Sequence, residues 1–174
     1  MKNFIFLSLF VLSTTASAKS VFSGVNTKLG KCYSRQYSTE HMAKNPKQTV
    51  TAMAAKFYTE TFSGSGDEDY QIDLLKIQAK VKGSDKVYGV ELACNKDGSC
   101  FIDCDGPRVA ARFSKNNPGS MLIDNSEGSL VLDPLTCGDD VSEEELEAMN
   151  VWLKGTKGGD DIFRLDPMPD YQCL

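Results

Sequence analysis

The sequence predicts a mainly β protein: a single antiparallel β-barrel or β-sandwich domain of about eight strands, stapled by disulfides, with one helix in its C-terminal region. Three observations predict it. Short segments of alternating apolar and polar residues recur along the chain, divided by turns rich in Gly, Asn, Asp and Pro. All six cysteines lie beyond an N-terminal export pattern. One stretch, Val141 to Gly155, breaks the alternation and carries helix caps instead.

The start of the 174-residue chain reads as a targeting segment. Lys2 supplies a positive charge, Phe4 to Leu12 is apolar except for Ser8, and Ala16-Ser17-Ala18 offers small residues to a signal peptidase. Residues 1–18 are therefore expected to be a signal peptide and residues 19–174 the β domain. An apolar run of about nine residues is too short to cross a hydrocarbon core of roughly 30 Å as a helix. No later stretch approaches that length, so no membrane insertion is expected after cleavage. Cys32, the first cysteine, lies too far from the cleavage site for a lipid anchor. The expected location is periplasmic or secreted.

Each element has its own local reason. Lys19 to Lys31 shows no period and reads as an extended arm. Ser38 or Thr39 can cap a helical turn that must end before Pro46. In Gln48 to Thr61, Met53, Ala55, Phe57 and Thr59 fit a strand face, while Val50, Met53, Ala54 and Phe57 fit a helical stripe; the β-branched ends favour the strand. Tyr70, Ile72 and Leu74 alternate, then Leu75, Ile77, Ala79 and Val81 alternate out of phase, which predicts a β-bulge at Leu74-Leu75. Tyr88, Val90, Leu92 and Cys94 then face Cys100, Ile102 and Cys104 across the turn Asn95-Lys96-Asp97-Gly98, a hairpin whose register sets Cys94 opposite Cys100. Shorter strands follow at Val109 to Phe113, Met121 to Ile123 and Leu130 to Leu132. Ser142 with Glu145 forms a capping box for a helix over Glu143 to Lys154, with Leu146, Met149 and Leu153 buried and Trp152 as an anchor. The competing reading there is an acidic loop entering a strand at Val151-Trp152-Leu153. A last strand over Asp161 to Leu165 turns Phe163 and Leu165 inward.

Six cysteines in an exported chain allow fifteen disulfide connectivities. Zinc would need thiolates kept reduced and a familiar spacing such as Cys-x2-Cys, which Cys100-x3-Cys104 is not, and the one histidine, His41, sits far away in sequence. The hairpin register favours Cys94–Cys100, which leaves Cys104–Cys137 and Cys32–Cys173; Cys100 and Cys104 share a face and could exchange partners.

Charge narrows the functional classes. Loss of Lys2 with the leader leaves 18 basic residues against 24 acidic ones, and the sequence pI is about 4.9. Nucleic acid is therefore excluded as a partner. Catalytic patterns are missing. His41 is the one imidazole and sits beside a turn, so function is expected not to depend on it. Ser65 in Gly64-Ser65-Gly66 lacks the glycines two places away that a nucleophile elbow needs. Adjacent carboxylates such as Asp139-Asp140 point to opposite faces of a strand, and Asp97 with Asp103 and Asp105 lacks the register of a calcium loop. No metal, cofactor or catalytic residue is expected. Arg108 and Arg112, aligned on the face opposite Val109, Ala111 and Phe113, are the candidate ligand-binding residues, because two guanidiniums on one face can clasp an anion. The duller account is pairing with neighbouring carboxylates.

Cys32-Tyr33-Ser34-Arg35 followed by Glu40-His41-Met42 and Pro46-x-Gln48-Thr49-Val50, then Cys104-Asp105-Gly106, and Phe163-Arg164-Leu165-Asp166 before Cys173 together resemble a set of small uncharacterised secreted proteobacterial proteins with six cysteines. The resemblance spans most of the mature chain and implies no activity. The expected function is a non-enzymatic binding module for a small ligand or an envelope component. The alternative is a secreted hydrolase or inhibitor acting on envelope polymers or proteins.

Overall fold

A strand that buries one face places every second residue inward, and this chain repeats that pattern until the sheet closes on itself. The computed structural model describes residues 31–63, 68–102, 108–133, 150–155 and 159–169. Its elements are β1 (Lys31–Gln36), α1 (Thr39–Lys44), β2 (Val50–Ser63), β3 (Asp69–Val81), β4 (Tyr88–Cys94), β5 (Ser99–Phe101), β6 (Arg108–Phe113), β7 (Met121–Asp124), β8 (Val131–Leu132), β9 (Val151–Trp152) and β10 (Ile162–Met168). Strands β1 to β7 follow one another around an antiparallel barrel, and β10 completes the ring by pairing with both β7 and β1. Strands β8 and β9 form a separate two-stranded sheet between β7 and β10. The barrel, rather than a sandwich, is thus the form the predicted β domain takes.

Side chains fill the interior, as eight strands allow. Met53, Phe57, Leu75, Ile77, Leu92, Met121, Ile123, Phe163 and Leu165 are fully buried, and Ala55, Ala79 and Ala111 make room between them. Each large side chain removed from water stabilises the fold by about 1.5–3 kcal/mol. Leu130, Leu132 and Leu153 join the same cluster from the β8–β9 sheet. That sheet lies over one end of the barrel: Leu153 N–H donates to Leu130 O, Ser129 Oγ donates to Arg108 O, and Asp133 N–H donates to Gly89 O. The outer face is charged, with Lys56, Lys76 and Glu91 in one register row. This is the reverse of the lipid-facing pattern of a transmembrane barrel. Among the described residues no helix is long and apolar enough to cross a membrane.

Several expectations stand. The stretch from Gln48 forms strand β2 with Met53, Ala55 and Phe57 buried, α1 is capped by Ser38, whose Oγ accepts from His41 N–H, and Phe163 and Leu165 point inward. Cys94 pairs with Cys100 in the β4–β5 register and is joined to it by a disulfide, with Cα atoms 4.0 Å apart. Gly98 turns the hairpin at φ 90°. Cys32 is also disulfide-bonded. Cys104, Cys137 and Cys173 lie outside the described residues, as do the signal peptide and the arm before Lys31.

Other expectations are corrected. No bulge occurs at Leu74-Leu75: β3 pairs with β2 in unbroken register there, and the register shift lies in β2 between Val50 and Ala52. The phase change arises because Leu74 is buried on the outer face, opposite Tyr58 and Ala93, while Leu75 is buried inside. Leu130 to Leu132 contributes to the end-covering sheet rather than to the barrel wall, where β7 pairs directly with β10 and β1 supplies the eighth strand. The helix cannot reach Lys154, because Val151 and Trp152 pair with Leu132 and Val131 as strand β9; its remainder, residues 142–149, lies outside the described residues. Strand parity sends Leu153 into the core and leaves Trp152 half exposed rather than anchored.

Asp133 fastens β8 to the barrel. It adopts φ 50°, its Oδ1 accepts from Gly89 N–H at 2.6 Å, and its Oδ2 meets Lys86 Nζ at 2.8 Å. Burial opposes ionisation, yet the Lys86 and Gly89 hydrogen bonds and the Lys86 charge outweigh it, so the carboxyl sits below its ordinary 3.8. A group depressed in the folded state contributes stability above its unfolded pKa and loses it as pH falls through the folded one. Acidification below about 3.8 should therefore release the Gly89 amide, read as lost protection in hydrogen exchange followed by NMR. Asp133→Asn should abolish that pH dependence.

Candidate functional site

Arg108 and Arg112 share the outer face of β6, as their spacing implies, but their surroundings differ. Arg112 Nη2 donates to Asp124 Oδ2 at 2.8 Å, an ion pair that occupies one side of the guanidinium. Arg108 is exposed and lines a groove with Ser99, Asp124, Ser126 and Glu127. Two carboxylates in that groove oppose an anion. Asp97, the one described member of the calcium candidates, accepts from Ser99 N–H and Ser99 Oγ, which holds its carboxyl below the usual range and makes it a turn residue. No group of three or more His, Cys, Asp or Glu residues with metal-holding geometry occurs among the described residues.

A different cleft forms where the first and last strands meet. β1 delivers Arg35 and leads into Tyr37, α1 delivers His41 and Asn45, and the start of β10 delivers Asp161 and Arg164. Gln48, Gly159 and Ile162 complete the lining of this open cleft of about 370 Å³. The Arg35 guanidinium lies 5.4 Å from the Tyr37 ring centroid, and the His41 ring packs against the same tyrosine, tilted by 32°, at 4.8 Å. Gln48 Nε2 donates to Val50 O, so its Oε1 faces His41, whose Nε2 donates to it at 2.9 Å. No hydroxyl or thiol among the described residues hydrogen-bonds the His41 ring. Burial pushes the Tyr37 hydroxyl up to about 12, with Arg35 and Arg164 pulling it back and Asp160 and Asp166 adding to the rise. It stays a neutral phenol, able to donate or accept but not to act as a base.

A buried polar clamp builds this wall. Asp160 is fully buried, and its carboxylate accepts from Thr49 N–H at 3.0 Å, Val50 N–H at 3.2 Å and Thr49 Oγ1. Asn125, also buried, donates through Nδ2 to Asp160 O and to Leu153 O, each at 2.9 Å, and accepts from Leu130 N–H. Asn125 N–H further donates to Asp161 O. Gly159 permits the close approach: at φ 97°, a Cβ there would fall 2.5 Å from the Lys47 carbonyl carbon. Asn125 and Gly159 did not stand out in the sequence as site residues. Arg35, Tyr37, Asp161 and Arg164 belong to segments far apart in the chain, and only the closure of β1 on β10 joins them.

Fold and site together define an up-and-down eight-stranded barrel with a filled core and a cationic, aromatic cleft at one rim. No family profile, no characterised protein and no solved structure matches the chain.

Replacing Asp160 with alanine leaves two backbone amides and a hydroxyl without their acceptor. Asp160→Ala should lower unfolding free energy by about 3 kcal/mol, measured by urea denaturation. An exposed control, Glu127→Ala, should change it by less than about 0.5 kcal/mol.

Proposed function

We propose that the protein is a non-enzymatic binding module of the cell envelope that captures a small anionic ligand in the rim cleft. The observation that carries this reading is the meeting of Arg35 and Arg164 around the packed Tyr37 and His41 rings, with no carboxylate within ion-pair distance of Arg35 among the described residues. A guanidinium that lies over an aromatic ring without an ion pair keeps its N–H donors for an anion. Export is supported by the leader pattern and by the Cys94–Cys100 disulfide, which suits an oxidising compartment. The filled barrel supports binding at the rim rather than inside. The engagement of the His41 ring by Gln48, with no hydroxyl hydrogen-bonded to it among the described residues, favours binding over hydrolysis.

NMR titration of the mature protein with inorganic phosphate tests the site. Shifts should centre on Arg35, Tyr37, His41 and Arg164, and Arg35→Ala should weaken binding at least about tenfold, or roughly 1.4 kcal/mol. Shifts centred on Arg108 and Arg112 instead would relocate the site, and no saturable shift at all would reject the reading.

A further inference from the structure

The cleft holds a charge of the opposite sign that no neighbour neutralises. Asp161 lines it together with Arg35 and Arg164, yet among the described residues the Asp161 carboxylate has no ion pair, and its Oδ1 is buried without a hydrogen-bond partner. Its backbone is held in place, since Asp161 O accepts from Asn125 N–H at 2.6 Å. On the cationic side, Arg164 Nη2 reaches Asp166 Oδ2 only at 3.5 Å, and Arg164 Nε is buried and unpartnered. Opposite charges therefore share one cleft without pairing with each other. Such groups are costly to leave unmatched.

We propose that the ligand is a small zwitterion, an α-amino acid or short peptide carrying a free carboxylate and a free ammonium in one molecule. This rests on the reading of the cleft as an anion site and names the class of ligand it takes. The carboxylate meets Arg35 and Arg164 through charge-assisted hydrogen bonds. The ammonium meets Asp161 through the part of its side chain that lines the cleft rather than through the buried Oδ1, and the body of the ligand lies along the Tyr37 and His41 rings. A ligand with anionic charge alone would set that charge near the Asp161 carboxylate and gain less, so Asp161 selects against simple anions. A volume of about 370 Å³ suits a molecule of this size.

Three probes of nearly equal shape separate the possibilities in calorimetric or NMR titrations of the mature protein. Glycylglycine carries both charges, N-acetylglycine keeps the carboxylate without the ammonium, and glycylglycinamide keeps the ammonium without the carboxylate. Glycylglycine should bind at least about tenfold tighter than either. In Asp161→Asn the preference for glycylglycine over N-acetylglycine should vanish while N-acetylglycine binding persists. If N-acetylglycine binds wild type as tightly as glycylglycine, the zwitterion proposal fails and the anion site stands. If neither carboxylate probe nor phosphate binds, both fail.

Discussion

The amide of Asn125 and the carboxylate of Asp160 hold one end of the barrel together. Through them the end of β7, the β8–β9 sheet, the approach to β10 and the start of β2 meet in one buried network, in which Asn125 uses both amide hydrogens and its oxygen. Buried polar groups are tolerated when fully satisfied and costly when half satisfied. The same network that seals the apolar core therefore fixes where Asp161 and Arg164 emerge. Stability and site are coupled at this rim because they share these hydrogen bonds.

The packing of the barrel decides where a ligand can sit. An eight-stranded ring has room either for side chains or for one small guest. Here Met53, Phe57, Phe163 and their neighbours occupy that room, and leucines from the β8–β9 sheet close one end. Polar side chains gather at the rim instead, where strand ends and α1 supply them. At the opposite end β2 and β3 outrun the barrel, with Phe62 stacked on Tyr70 at 5.7 Å. That extension leaves the cleft untouched.

Much of the barrel wall is readable in the sequence, because period-two alternation is a direct consequence of burying one face. The β4–β5 hairpin shows this best: the alternation that faces Leu92 inward also sets Cys94 opposite Cys100. The failures share a cause, which is that apolar residues do not name their partners. Leu130 to Leu132 looks like a wall strand but serves the end sheet, and Leu74 looks out of phase because the outer face buries it too. β1 stayed invisible because Lys-Cys-Tyr-Ser-Arg-Gln buries only Cys32 and Tyr33. The cleft could not be read at all from spacing. Its residues come from opposite ends of the chain, and the hints were indirect: the motifs of the resemblance contain Arg35, His41, Gln48 and Arg164, and Cys32 and Cys173 were expected to tie the start of the domain to its end.

Hydrogen exchange across the Asn125–Asp160 network tests the account most directly. In the wild type the amides of Thr49, Val50 and Leu130 should exchange only through global unfolding, like those of Leu75 and Ile77 in the barrel wall. In Asn125→Ala the first three should lose protection together while the wall amides keep theirs. Loss confined to Leu130, with Thr49 and Val50 unchanged, would show that the end sheet and the cleft wall are held separately, contrary to this account.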